Sequence, residues 1–378
     1  MKKFYSLLIV FVTICFFSCE SDDEDVNMQD VPESYEFTRN GESTVDFSGQ
    51  TTRLNMLSEI KSYVSEGDKG NEVEAQRLRN MFANENDPFS SSDLNAASKD
   101  LKTKTFLSDV AYYENLFDEL ETAAQDYVDN QSTASVGVSG RIERGNSGKF
   151  ILVNEKGWEF TQFIEKGMLG SVFFHQIFNV YLSEDRIGND IDNETIEEGK
   201  NYTAMEHHWD EAFGYWGVPT DFPAELPAED KRFWANYTYG RTALTGSLDV
   251  LKDAFLVGRT AIVNNEYDSK DQSRDRIIDE FEIVSAATAI HYINSSLEDL
   301  NNGDQGNLFH HVSEAYMFVR ALKFSPVKKI SQSDIDQILT SDFGADGDFW
   351  LINQSGLVAA KERIITSYPS LADIADEL

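Results

Sequence analysis

Two seven-residue stretches share one register: His207-His208-Trp209-Asp210-Glu211-Ala212-Phe213 and His310-His311-Val312-Ser313-Glu314-Ala315-Tyr316. The chain has 6 histidines, and these doublets hold four of them. Imidazole and carboxylate hold zinc, iron or copper where no thiolate is at hand, with water in the open positions. On a helix, residues three and four apart share a face, so His207 and His208 meet Glu211, and His310 and His311 meet Glu314. His208, Glu211, His311 and Glu314 are therefore the expected metal ligands. His207, His310, His175 and His291, with Glu206 and Asp210, are the expected additional ligands or supporting partners. The same spacing also makes a metal-free buried pair, a neutral His donating to Glu, and that network is the competing reading.

Other chemistries have less behind them. The stretches 184–193 and 298–304 are rich in Asp and Asn, and Asp342, Asp346 and Asp348 stand among Gly344 and Gly347. Either could hold calcium, although neither follows the EF-hand ligand order. The aromatic set Trp209, Phe213, Tyr215 and Trp216 reads as helix core. There is no HExxH zinc signature, serine nucleophile elbow or phosphate loop. Cys15 and Cys19 are the only cysteines, so neither a disulfide nor a thiolate ligand is expected in the mature chain.

The elements that must position these residues are helical. Leu54, Leu57, Ile60 and Val64 recur at three- and four-residue steps until Gly67. Further helices are expected over about 71–84, from Ser92, over 112–128 and over 157–182 with His175. The doublet helices are expected at about 193–216 and 307–324, with 271–300 carrying His291 between them. Residues 230–265 read as one or two helices, and 333–341 and 349–366 close the chain. Residues 141–153, with Gly145, Asn146 and Gly148 at the turn, predict one small hairpin. The order His helix, acidic loop, doublet helix occurs twice. Small residues precede the lone histidine each time, Gly170-Ser171 and Ala286-Ala287, and would let a neighbouring helix come close. The expected fold is all-α, a duplicated helical bundle with units of about 51–220 and 230–378 and at most a small β-hairpin.

The first nineteen residues read as a targeting segment: Lys2 and Lys3, an apolar run from Phe4 to Phe17 too short to span a bilayer comfortably, then Ser18-Cys19. Phe16-Phe17-Ser18-Cys19 looks like the lipobox of bacterial lipoproteins, which implies lipidation at Cys19 and membrane attachment through acyl chains. The acidic run Glu20 to Asp25 resembles an export tag to the outer face of the outer membrane, followed by a tether and entry segment over 20–50 around Tyr35-Glu36-Phe37. The formal net charge is −34, with 66 acidic residues against 32 basic. Such a surface repels nucleic acid and anionic lipid and gathers cations.

Asn154 through Phe160, Lys166-Gly167-Met168, His175 and Glu206 through Tyr215 together resemble the Bacteroidetes lipoprotein family called domain of unknown function 4856. That likeness covers nearly everything after the tether and implies an organisation without a known activity. More distantly, the duplicated layout is similar to imelysin-like proteins, all-helical and associated with iron uptake, whose motif is Gly-x-His-x-x-Glu. His208 with Glu211 and His311 with Glu314 match it, while Glu206 and Phe309 stand at its glycine. The resemblance implies iron. The expected function is a surface lipoprotein of the outer membrane, not an enzyme, that binds a metal or assists its uptake beside an outer-membrane receptor. One alternative is a metal-dependent hydrolase with Glu206 or Asp210 as general base. Another is a structural or receptor-partner lipoprotein with a buried His/Glu network.

Overall fold

The computed structural model describes residues 31–378. The expected signal, the lipidation site Cys19 and the acidic run lie outside them. Among the described residues the helices are α1 (Ser48–Val64), α2 (Ala75–Ala83), α3 (Ser92–Ala96), α4 (Val110–Asn130), α5 (Phe160–Met168), α6 (Glu184–Ile187), α7 (Ala204–Trp216), α8 (Phe233–Thr245), α9 (Ser247–Asn264), α10 (Tyr267–Asn302), α11 (Gln305–Ala321), α12 (Gln332–Gln337) and α13 (Gln354–Ser367). Two small antiparallel hairpins accompany them, β1 (Thr38–Arg39) with β2 (Glu42–Ser43), and β3 (Gly140–Glu143) with β4 (Phe150–Val153). The fold is all-α.

The axis of the molecule is α10, 36 residues long, which at 1.5 Å per residue spans about 54 Å. It packs against α8, α9, α11 and α13. Close packing is possible because Ser285, Ala286, Ala287, Thr288 and Ala289 offer little side chain, and all are fully buried. The small pair before His175 acts alike: a Cβ on Gly170 would stand 3.0 Å from Ala321 Cα of α11. That stretch also unwinds from α to π geometry over Leu169–Phe174 and Ile177–Tyr181, and such wider turns re-aim the side chains that follow. Helix α5 packs on α11, and α1 touches both α5 and α7, so the halves share one core.

Three boundaries differ from the periodicity reading. The first doublet helix starts at Ala204 rather than near 193, where Thr203 and Glu206 form a reciprocal capping box. Helix α10, expected to end at about 300 within an acidic stretch, runs on to Asn302. Left-handed Gly303 ends that helix, and the Asp304 side chain opens α11 by accepting from the Asn307 amide. Residues 184–187 of the other acidic stretch form α6. The entry segment is packed rather than extended: Tyr35 is buried, donates its amide to Thr220 O at 2.8 Å, and stacks on Phe213.

Candidate functional site

In the first doublet, α7 turns His207, His208 and Glu211 toward a shallow surface, with side-chain exposures of 22%, 16% and 17%. His208 Nδ1 is 3.3 Å from Glu211 Oε2, and His207 Nε2 is 3.9 Å from the same oxygen. The other oxygen, Oε1, accepts from Gln50 Nε2 at 3.1 Å. Tyr202 stacks on the His207 ring, centroids 4.4 Å apart, and fixes its plane. His207 Nδ1 is buried without a hydrogen-bond partner. Burial alone would raise the Glu211 pKa, but the His208 contact and the two imidazoles outweigh it, and the carboxyl sits below its usual range. No lysine or arginine forms an ion pair with Glu211 among the described residues.

The second doublet occupies the same helical positions but has different neighbours. His310 Nε2 lies 3.8 Å from Glu314 Oε2, repeating the His207–Glu211 relation. Its Nδ1, however, is bound to Glu159 Oε2 at 2.6 Å, and His311 Nδ1 to Asp299 Oδ2 at 2.6 Å. A buried cation is already there: Lys166 Nζ is 2.7 Å from Glu165 Oε2 and 3.6 Å from Glu314 Oε1. Burial opposes its charge, yet Glu165 and Glu314 more than offset this and hold the ammonium protonated. The cluster is neutralised from inside: His310, His311 and Glu314, two of them expected ligands, all have protein partners.

Helix α1 measures the gap between the clusters. Gln50 touches Glu211, and Lys61 touches Glu165 at 2.8 Å. Eleven residues of rise separate these two contacts by about 16 Å. The doublets do not converge on one shared site.

The remaining expected site residues go elsewhere. Glu206 and Asp210 lie about 100° round α7 from His207 and Glu211 and enclose the fully buried Arg259, at 3.0 and 2.9 Å. Arg39 binds Glu206 as well, and Tyr35 donates to Asp210 at 2.8 Å. Burial raises Asp210 to about 6 against the pull of Arg259. For Glu206 burial acts in the same sense, but Arg259 and Arg39 prevail and lower it. These two acids clamp the entry segment to the core and are not free to serve as a base or to support the doublet. His175 sits edge-on to Phe106, away from either doublet, with burial lowering its pKa. His291 is near His311, but burial, Arg241 and His311 push it down to about 4, so it stays neutral.

Several acids of the expected calcium stretches have partners inside the fold. Asp192 accepts from the Glu194 and Thr195 amides, Asp304 caps α11, and Asp342 pairs with Arg363 at 2.9 Å. Among the described residues, no three His, Cys, Asp or Glu side chains already form a closed metal cage. Sequence reasoning missed Gln50, Tyr202, Glu159, Asp299 and Lys166, because each reaches the doublets from a different element.

Fold and site together define an all-helical protein with a duplicated His/Glu element, open in one copy and internally neutralised in the other. The chain belongs to the family described as domain of unknown function DUF4856, whose model matches residues 32–377. No curated protein and no solved structure matches it.

Proposed function

We propose that this is a non-enzymatic lipoprotein of the outer-membrane surface that binds a transition-metal ion, iron foremost, through His207, His208 and Glu211, as an accessory to a receptor in metal uptake. The observation that carries the reading is the contrast between the copies. One has two imidazole nitrogens within 4 Å of an ionised carboxylate that no lysine or arginine pairs with directly; the other has Lys166 beside its carboxylates. A metal about 2.1 Å from each donor sets the donors roughly 3 Å apart. The His208–Glu211 separation is close to this, and a modest turn of His207 supplies the third donor.

Metal analysis of the purified full chain tests it. Wild type should carry stoichiometric metal after incubation and dialysis, His207→Ala/His208→Ala should carry almost none, and His310→Ala/His311→Ala should keep it. Near-zero metal in all three removes the reading. The structural alternative, a partner-binding lipoprotein, is favoured by the self-sufficient second network, and it predicts loss of stability without any bound metal in either doublet variant.

A further inference from the structure

In a chain of net charge −34, the surface beside the open doublet collects cations that form no direct ion pair. Arg53 of α1 is buried; its guanidinium meets Asp100 O at 2.9 Å and Gly49 O at 3.3 Å, and the Tyr215 hydroxyl faces it. Lys99 Nζ and Arg53 Nη1 lie 3.7 and 3.5 Å from the point where a Cβ on Gly49 would stand, so both crowd the same spot. Lys104 Nζ contacts Tyr181 OH at 3.3 Å. Arg186 is exposed at the end of α6. None of the four forms an ion pair among the described residues, whereas most other buried or half-buried cations here have one, Lys166, Arg259 and Arg320 among them. Burial and Arg53 lower the Lys104 pKa, and the nearby Glu211 and Asp100 offset them only in part. A desolvated charge without a counter-ion is costly, and the cost falls when an anion arrives.

A second observation points to the same place. Tyr215 is fully buried, and its hydroxyl faces the Arg53 guanidinium. Its ring centroid is 6.0 Å from that of Tyr181, which is 6.3 Å from His208. Cations, phenol hydroxyls and the doublet therefore adjoin one another. Arginine and lysine beside phenol donors are the groups that recognise carboxylate oxygens.

We infer that this surface binds a small polycarboxylate, so that the metal reaches His207, His208 and Glu211 as an anionic chelate rather than as a bare ion. The inference rests on the metal reading for the cargo, but the anion site stands on Arg53, Lys99, Lys104 and Arg186 alone. An anionic carrier also answers a physical difficulty: a bare cation would be held all over so acidic a surface, whereas a chelate of negative charge is repelled except where cations are gathered.

Calorimetric titration of the full chain with citrate, ferric citrate and zinc chloride tests this, comparing wild type with Lys104→Gln/Arg186→Gln. Both substitutions lie at partly exposed positions, and circular dichroism verifies that the variant is folded. Wild type should bind citrate or ferric citrate, more weakly as salt rises, and the variant should bind at least tenfold more weakly while zinc binding is unchanged. Equal affinity in the two proteins, or no binding of either citrate form, overturns the inference. Citrate binding lost in the variant, with no zinc bound by either protein, sustains the anion site and removes the metal reading instead.

Discussion

At the residue scale, what separates the two doublets is the company each imidazole keeps. Lys166 makes the second copy independent of any added ion, and its removal tests that view. Lys166→Met should leave Glu165 and Glu314 buried against each other, a loss of ~3–5 kcal/mol for one partner of a buried pair, nearer the lower figure because Lys61 still reaches Glu165. Urea denaturation measures it, and a Lys166→Met/Glu314→Gln double variant should recover part of the loss through their coupling. The same cluster should also give stability a sign with pH. Asp68, which accepts from the Leu152 amide and the Thr161 hydroxyl, is raised to about 7 by burial and by Glu159. His310 is raised too, since Glu159 and Glu314 outweigh its burial. Both groups bind protons more readily when folded. The Asp68 contribution is complete below its unfolded value of 3.8 and is lost as pH rises through about 7. That of His310 is complete below 6.5 and is lost through its higher folded value. Glu159 and Glu165 are lowered despite burial, by His310 and by Lys166 respectively; they act oppositely, and their contribution is lost as pH falls below 4.5. Between about 6.5 and 8, above the range in which the lowered His175 and His291 act the other way, the first pair dominates, so unfolding free energy should decline with rising pH, and Asp68→Asn should flatten that decline. An unchanged slope in the variant would remove Asp68 from the account.

At the element scale, helices were readable where an apolar stripe persisted and misread where the cue was chemical. The heptad-like run in α1 and the long amphipathic α4 lie close to their expected places. The end of α10 was expected about two residues early because Asn301 and Asn302 are polar and exposed, and only Gly303 with Asp304 marks the break. The start of α7 could have been found from Thr203 and Glu206, whose three-residue spacing is a capping box. Thr203→Ala should therefore cost about 1 kcal/mol, read as a lower urea midpoint. Packing of α7 against α9 and α10 depends on a position no pattern advertises. A Cβ on Gly258 would lie 2.2 Å from the Trp209 ring and 2.9 Å from Ser273 Cβ. Trp209 is itself held by its indole N–H donating to Phe255 O at 3.0 Å. Gly258→Ala should thus destabilise by roughly 1–3 kcal/mol, although alanine is the better helix former. A variant as stable as wild type in thermal melts would mean that α9 can retreat from α7.

At the scale of the whole molecule, the doublet register was legible because each seven-residue stretch is local in sequence, whereas the partners that surround each copy arrive across 151 residues for Glu159 and 161 for Gln50. Long-range pairing leaves no local pattern. The entry segment belongs to this class. Read from composition, residues up to about 50 are a tether, yet in the fold they close the core. Tyr35 is stacked on Phe213, Arg39 is paired with Glu206, and Thr44 Oγ1 accepts from Arg259 Nη2 at 3.1 Å. Arg259, Glu206 and Asp210 therefore form a charged triad that stays dry only while this strap covers it. Deleting residues 33–46 from the full chain would expose the Phe213 face and leave Asp210 without its Tyr35 donor. The expected outcome is a loss of several kcal/mol, as for a disrupted buried charge network, with hydrogen exchange quickened first in α7 and α9. Because α7 also carries His207, His208 and Glu211, metal retention in the deletion variant should fall along with α7 protection. A point variant, Tyr35→Phe, separates the two effects: it keeps the aromatic cover, removes one hydrogen bond for about 1 kcal/mol, and should leave metal binding intact. If the deletion left α7 as protected as in wild type, the strap would be ornamental and Arg259 would be held by its two carboxylates alone.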